Sequence, residues 1–567
     1  MTQSSALHYL GSSRGVAGPG PAASAPLPQP RTAPTVNVAT VFPISPLPVR
    51  RRRAILRFLV HALAGAAAGG ALAAQEPAQA TVPQWGRASA GMQLPWLATG
   101  DAQARLALGL LRGAEADGLD PGRYGVADLA RRLDTARDAA SVAAFEQDLS
   151  AAMVRFLADL HFGRSGSVYR SPADTPDAFD PAASLARALK ERRLVEAVEA
   201  AAPAIPLYRR VKAALARYRE LAGARPDWPA LPPVDTGVAE GDAYEGAALL
   251  LDRLQLLGDL GKDAAAGNAH TYTPQLAAAL RRFQSRHGLA EDGVLGAQTL
   301  AALSVPPARR AAQLALTLER LRWLPQLPPG RVVAVNLPTY RLWAFDGTND
   351  ASVAPLEMRI IVGTAARTPT PLFIGQMRYL EFNPYWNVPH SIALAEIVPK
   401  LARNPAYLRQ NDMELVSADG GVLRATAAGA LDALRAGRAR VRQRPGALNA
   451  LGAVKFAMPN PMNIYLHSTS SRELFNRARR DLSHGCIRVE RPVELAEFVL
   501  ANAREWGAAA VQAAMESGRT RRLALPRPVP VVLFYATAVT DRAGRALFAQ
   551  DIYGRDEPLI EAMRAPR

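Results

Sequence analysis

Cysteine is nearly absent from this sequence: in 567 residues there is one, Cys486. A single thiol cannot form an internal disulfide, and it is a poor start for a zinc site, which takes several Cys or His ligands. The His-Glu-x-x-His pattern of zinc peptidases is also missing. We therefore expect no metal and no other cofactor. The thiol is left with two roles, an inert buried side chain or a nucleophile.

The chain also lacks a clear membrane-spanning run. The apolar stretch 54–74 contains Arg57 and His61 and is rich in Gly and Ala, which makes it too weak for a confident span. It follows four arginines at 50–53 and precedes small-residue sites, and this is the layout of a secretory signal. We predict a signal peptide at 50–80 and export to the periplasm, with Sec or twin-arginine export and an uncleaved anchor left open. Residues 1–49 are predicted to be disordered or a mis-called start.

The net charge of +17 is mostly due to arginine. Nucleic acid is the weakest explanation, because the arginines are scattered and no nucleic-acid-binding signature accompanies them. An anionic membrane surface and a polymer rich in carboxylates remain as partners. A coding bias toward Arg and Ala explains the charge equally well.

A chain of this length is too long for one core, and its patterns change along it. Helical spacing of apolar residues predicts a helical scaffold domain over 98–240 and a second compact unit over 245–305. Strand patterns begin near 330 and predict a β-rich catalytic domain over 330–515. A segment with helical patterns, at about 388–450, interrupts this β-rich domain and predicts an inserted capping subdomain that could act as a lid. One more strand, predicted over Val529–Thr537, and a tail follow within 516–567.

The unit at 245–305 resembles the three-helix peptidoglycan-binding domain of the first type. The resemblance rests on Phe283-Gln284, His287-Gly288-Leu289 and the turn Asp292-Gly293. Such a module inside a larger cell-wall enzyme can also be a structural appendage without a ligand.

The chemistry is concentrated in the run Ser483-His484-Gly485-Cys486-Ile487-Arg488. A second histidine, His467, lies 19 positions upstream in the strand-like run 463–467. A free thiol needs a neighbouring base to yield thiolate at neutral pH, so thiol and imidazole together suggest a Cys–His acyl-transfer centre. His467 is the favoured base, and His484 is kept as the less favoured alternative.

At this motif the sequence resembles the L,D-transpeptidases with a YkuD-type catalytic domain. The order of scaffold, bundle and interrupted catalytic domain resembles the large YcbB-type subgroup, as do the runs 383–389 and 463–467. The resemblance implies a multidomain α+β fold, in which a β-rich YkuD-type domain with an inserted helical capping subdomain joins a helical scaffold and a three-helix peptidoglycan-binding domain.

The resemblance also implies roles for single residues. Cys486 would be the nucleophile and His467 the general base and acid, with the main chain of Ser468 as the partner of the imidazole. The loop residues His484, Gly485 and Ser483 would shape the site, and the amides of 484–486 are candidates for an oxyanion hole. Tyr465 lies on the same strand face as His467, and Tyr465 and Ser468 are expected to bind substrate. Arg488 would bind a substrate carboxylate, or else pair with Glu490 or Glu494.

The expected reaction joins peptidoglycan stem peptides, a donor tetrapeptide and an acceptor amine, into 3→3 cross-links through a Cys thioester. The same thioester chemistry would explain acylation by carbapenems. Three alternatives stay open: an L,D-carboxypeptidase, a hydrolase that releases a wall-attached lipoprotein, and a non-catalytic peptidoglycan-binding scaffold. No nucleic-acid partner is expected, whereas association with the inner-membrane surface or with other wall enzymes is compatible with the charge.

Overall fold

A computed structural model describes residues 92–169, 179–264, 270–327, 329–347, 353–424, 426–501, 503 and 505–565. The expected signal at 50–80 and the segment 1–49 lie outside these residues. Within the described ranges, no helix combines the length and the apolar character needed to cross a bilayer.

The first part of the chain is helical, as its apolar spacing predicts. Asp138 and Asp180 cap two of its helices, each with a side-chain oxygen that accepts from the first free backbone N–H groups. The inward faces of most of these helices form one core around Trp96, Phe145 and Phe156. The helices are α1 (Ala102–Arg112), α2 (Val126–Thr135), α3 (Ala139–Phe162), α4 (Pro181–Glu191), α5 (Leu194–Ala201) and α6 (Pro206–Ala224).

The second unit is a three-helix bundle with its own core. Its helices are α7 (Ala247–Leu257), α8 (Pro274–Arg286) and α9 (Ala297–Leu303). The residues that carry the peptidoglycan-binding resemblance hold the bundle together. Phe283 is fully buried, and the amide of Gln284 donates to Asp292 (2.8 Å) while its carbonyl accepts from Gly293 N (2.8 Å). This signature is thus explained by packing and by closure of the turn.

Helix α10 (Pro307–Arg322) joins the bundle to the catalytic domain and packs along α6. Near its end Glu319 and Arg322 are both completely buried and form an ion pair of 3.1 Å. The carboxylate of Glu319 also accepts from Ser165 N (2.9 Å) and Trp323 Nε1 (3.2 Å). A buried pair with these extra donors ties the scaffold segment after α3 to α10.

The catalytic domain is built on a nine-stranded sheet in the order β11-β3-β12-β10-β9-β4-β13-β1-β2. Because β2 also pairs with β3, the sheet closes on itself. Its strands are β1 (Val332–Asn336), β2 (Arg341–Phe345), β3 (Leu356–Gly363), β4 (Phe373–Phe382), β9 (Val454–Ala457), β10 (Leu466–His467), β11 (Asp481–Ser483), β12 (Ile487–Val489) and β13 (Arg521–Phe534). The hairpin β1–β2 turns at Pro338-Thr339.

The inner face of this closed sheet holds the main core. Leu380, Phe456, Leu466 and Ile487 are fully buried there, against residues of α15 (Pro492–Leu500) and α16 (Ala508–Glu516). Side chains alternate along each strand, so the neighbours of these residues point to the outer face. The outer face is where the polar residues of the site lie.

The insertion between β4 and β9 has its own small core. Beyond the expected helices it contains a four-stranded antiparallel sheet in the order β5-β8-β6-β7. The helical part begins with α11 (His390–Ile392), a π-helical turn (Ala393–Ile397) and α12 (Val398–Arg403), followed by α13 (Tyr407–Gln410) and α14 (Ala427–Arg435). The strands are β5 (Trp386–Asn387), β6 (Met413–Val416), β7 (Val422–Leu423) and β8 (Arg440–Gln443). We call this insertion the cap.

The C-terminal segment is integrated into the fold. Strand β13 lies between β4 and β1 in the middle of the catalytic sheet. It begins at Arg521, eight positions before the predicted start at Val529. The hairpin β14 (Ala538–Thr540) and β15 (Ala546–Phe548) then packs on α6 and α10, and α17 (Asp556–Arg564) ends the described chain.

Removing the charge of Glu319 should destabilise the protein strongly. Glu319→Gln keeps the shape of the side chain but leaves the buried Arg322 without its counter-ion, which costs about 3–5 kcal/mol. Chemical denaturation followed by circular dichroism measures this loss. Glu497→Gln, on the exposed side of α15, is the matched control and should change stability by less than about 0.5 kcal/mol. Equal stability of the two variants would contradict the assignment.

Candidate active site

The site is created by the parallel pairing of β10 with β12, in which Leu466 is opposite Ile487 and His467 is opposite Arg488. Leu466 and Ile487 are both fully buried on the inner face. Their neighbours along the two strands therefore share the outer face. The residues brought together in this way are Tyr465, His467, Cys486 and Arg488.

His467 is held as a neutral imidazole. Its Nδ1 lies 2.6 Å from the carbonyl oxygen of Ser468, and because a carbonyl can only accept, Nδ1 carries the proton. Nε2 then keeps its lone pair. Burial of the ring, with a smaller contribution from the charge of Arg488, lowers the pKa of His467 to about 3. Ser468 acts here through its main chain, as the resemblance implies, while its hydroxyl donates to Leu451 O (3.1 Å).

Cys486 is half-buried, and its thiol also rests in the neutral form. The Sγ–H group donates to the carbonyl of Asn463 at 3.6 Å. Burial raises the pKa of the thiol above its ordinary value, whereas hydrogen bonding from Tyr465 and the positive charges of Lys455 and Arg488 oppose this rise. The resting site therefore contains a thiol and a neutral base, with cations placed to stabilise the thiolate once it forms.

Ser483 organises the loop that carries the nucleophile. Its hydroxyl donates to Cys486 O (2.6 Å) and accepts from Gly485 N (3.1 Å). This corrects one expectation: the amide of Gly485 is already engaged and is not a free oxyanion donor. Among the described residues, the amides of His484 and Cys486 have no acceptor, so they remain the candidates. Gly485 has φ +112, which a side chain would strain.

His484 faces the cap. Its Nε2 lies 2.5 Å from Oε1 of Glu396, which is in the π-helical turn, and both side chains are exposed. Its imidazole is thus engaged by a carboxylate outside the sheet. This arrangement favours His467 over His484 as the base.

Arg488 does not form the ion pair that the sequence left open. Glu490 is bound by Arg359 instead, through Arg359 N (3.0 Å) and Arg359 Nε (2.8 Å). Within the part of the chain that the structure describes, Nε of Arg488 is buried without a partner, and no ion pair of Arg488 with Glu494 occurs. A buried guanidinium nitrogen without an acceptor beside the nucleophile is suited to a substrate carboxylate.

Sequence reasoning missed the residues that support the loop from behind. Thr370 Oγ1 donates to Gly485 O (2.8 Å) and accepts from Gly363 N (2.9 Å). The hydroxyl of Tyr553, near the C-terminus, donates to Gly363 O (2.7 Å) and accepts from Thr370 N (3.2 Å). Tyr553 thus holds the two residues that support the loop. In the sequence, the strand-like run 358–363 ends at Gly363 and is the local signal for this position.

Comparison with known families agrees with this geometry. Residues 330–522 match the YkuD L,D-transpeptidase catalytic domain, residues 88–215 match a scaffold domain, and residues 248–303 match a domain described as "Putative peptidoglycan binding domain". A Haemophilus influenzae protein named "Putative L,D-transpeptidase" is 33% identical over 276 residues, which are 48% of this chain and 54% of that protein. The match thus spans about half the length of this curated relative.

Two solved structures are also similar. An L,D-transpeptidase from Xylanimonas cellulosilytica (residues 123–326) is 17% identical, covers 53% of this chain and 100% of its own, and has a TM-score of 0.16. An L,D-transpeptidase from Stackebrandtia nassauensis is 12% identical, covers 53% of this chain and 97% of its own, and has a TM-score of 0.22.

The low pKa of His467 predicts an unusual pH profile. Since the base is neutral above about pH 3, the rate of Cys486 acylation by a carbapenem should show no break near pH 6.5, the ordinary pKa of histidine. Stability has a different pH dependence. Between pH 6.5 and about pH 3, His467 is protonated in the unfolded chain but neutral in the folded protein, so the free energy of unfolding falls as the pH is lowered toward 3. Stopped-flow acylation, with circular dichroism at each pH, measures both. An acid limb centred near 6.5 would refute the neutral base.

Gly363→Ala should disable the site without unfolding the chain. A Cβ at Gly363 would lie 1.9 Å from Thr368 O and 2.9 Å from Gly485 Cα, so the backbone of the nucleophile loop must shift. A shift of about 1 Å can reduce the rate on the order of 100-fold. Gly507→Ala, where a Cβ meets nothing within 4 Å, is the control. Wild-type acylation rates in Gly363→Ala would show that the loop tolerates the shift.

Proposed function

Since residues 330–522 belong to the YkuD-type L,D-transpeptidase catalytic domains, we propose that this chain is a cysteine-dependent peptidoglycan L,D-transpeptidase that forms 3→3 cross-links. The observation that carries the proposal is the shared outer face of β10 and β12, where a neutral imidazole and a half-buried thiol lie on adjacent strands. The scaffold and peptidoglycan-binding matches support a cell-wall substrate. Export to the periplasm, read from residues 50–80, belongs to the same proposal.

The reaction begins with proton transfer from the thiol of Cys486 to Nε2 of His467. The thiolate attacks the carbonyl carbon of the third residue of a donor stem, and the developing oxyanion is stabilised by the free amides of the loop. The bond to D-Ala breaks, and D-Ala leaves with the proton from the imidazolium. A thioester between Cys486 and the donor remains.

In the second half, the side-chain amine of another stem attacks the thioester. The amine loses a proton to His467, the C–S bond breaks, and the thiolate is reprotonated. Attack by water instead of the amine gives a tripeptide, which is the carboxypeptidase outcome. The cap contacts the loop through Glu396 and His484, which supports its role in excluding water.

Cys486→Ala tests the nucleophile directly. Intact-mass analysis of the wild type with a carbapenem should show one covalent adduct, and the variant should show none. With purified muropeptides, the wild type should yield dimers and the variant at least about 10³-fold less, since only binding and amides remain. Tripeptide without dimers would favour the carboxypeptidase. Full restoration of cross-linking by the variant in a deficient strain would favour the non-catalytic scaffold.

A further inference from the structure

The outer face of the sheet continues beyond the catalytic pair toward β13. Strand pairing places one residue from each of five strands in a row across this face. Glu381 on β4 lies in this row, separated from His467 by one strand. In order, the row is Arg522, Glu381, Lys455, His467 and Arg488.

Glu381 is a half-buried carboxylate without a hydrogen bond or ion pair among the described residues. Lys455 and Arg522 are its direct cross-strand neighbours, and opposite charges in such positions usually pair. Here both cations rest on aromatic rings instead. The ammonium of Lys455 lies 4.2 Å from the ring centre of Tyr465, and the guanidinium of Arg522 lies 3.5 Å from that of Tyr379. The carboxylate of Glu381 thus lies between two cations and forms an ion pair with neither.

This arrangement fits one kind of ligand. A ligand with only a positive group would pair with Glu381 but would be repelled by Lys455 and Arg522. A ligand with only a negative group would be repelled by Glu381. A group that carries an ammonium and a carboxylate on the same carbon pairs with all three side chains. The rings of Tyr379 and Tyr465 would then flank the apolar stem of the ligand.

We propose that Glu381, with Lys455 and Arg522, binds the zwitterionic amino-carboxylate end of a diamino acid in the donor stem. The inference rests on the proposed function, in which the third residue of the stem is such an acid. Glu381 lies three strands from Cys486 and two residues further along the strand direction, which is about 16 Å at the usual strand spacing and rise. The long side chain of the ligand, together with those of Glu381 and Cys486, spans this distance.

The donor is favoured over the acceptor for a chemical reason. The acceptor amine must be unprotonated and beside the thioester when it attacks. An ammonium held by Glu381, three strands away, satisfies neither condition. The bound amine is therefore that of the residue whose own carbonyl is attacked.

The test uses two donor tetrapeptides that differ only at the third residue. One carries meso-diaminopimelate, with amine and carboxylate, and the other carries lysine, with the amine alone. Release of D-Ala is measured for the wild type, Glu381→Gln and Arg522→Gln. The controls are Glu497→Gln and Arg527→Gln, exposed positions outside the row. Intact mass with a carbapenem shows that each variant keeps its nucleophile and its fold.

We expect Glu381→Gln to lower kcat/KM about tenfold with both peptides, because each presents an ammonium. Arg522→Gln should lower it several-fold with the diaminopimelate peptide and leave the lysine peptide unchanged. If both variants release D-Ala as the wild type does, the subsite is refuted while the transpeptidase proposal stands. If only transfer to the acceptor amine is lost, the donor assignment is refuted. If the wild type releases no D-Ala at all, the proposed function fails first.

Discussion

The register of β10 on β12 is the constraint on which the site depends. Leu466 and Ile487 are buried opposite each other on the inner face, and this alone decides that His467 and Cys486 share the outer face. A slip of β10 by one residue would turn Leu466 to the outer face and His467 to the inner face, away from Cys486. The free-energy cost of removing a core residue from the inner face thus fixes the relative position of the two polar side chains. Their alignment is a consequence of hydrophobic burial.

The same burial sets the protonation states of the pair. Removal of water disfavours the imidazolium of His467 and the thiolate of Cys486 alike, so the resting site is uncharged. Lys455 and Arg488 offset part of this cost for the thiolate, and for the imidazolium they add to it. In the proposed reaction, charge would develop only as the thiolate and the oxyanion form, in surroundings that stabilise negative charge on sulfur and oxygen. The excess of cations on this face, together with Nε of Arg488, which has no partner among the described residues, is consistent with a substrate that carries carboxylates.

Local patterns singled out Cys486 and His467, which the structure places on one face of adjacent strands, and they indicated where the chain changes from helical to β-rich. They could not reveal Gly363, Thr370 and Tyr553, because Thr370 meets the loop across 115 positions of sequence and Tyr553 meets Gly363 across 190. The start of β13 was missed for a different reason. Its run contains Pro526, Pro528 and Pro530, which argue against a central strand, and the pairing with β4 indeed shifts register between Ala524 and Val529. Pro526 and Pro528 lie within that irregular segment, whereas Pro530 is paired in register opposite Gln376.

The cap contact completes the physical picture of the site. Glu396 and His484 meet at 2.5 Å, but their side chains keep 40% and 41% exposure, and pairs of this kind are worth about 0–1 kcal/mol. The cap has its own core, so its internal order does not depend on this contact. A contact this weak between Glu396 of the cap and His484 of the loop stabilises the closed position of the cap only slightly. In the proposed reaction, substrate would break this contact at little cost, and the additional contacts made by a bound stem would hold the cap closed during the lifetime of the thioester.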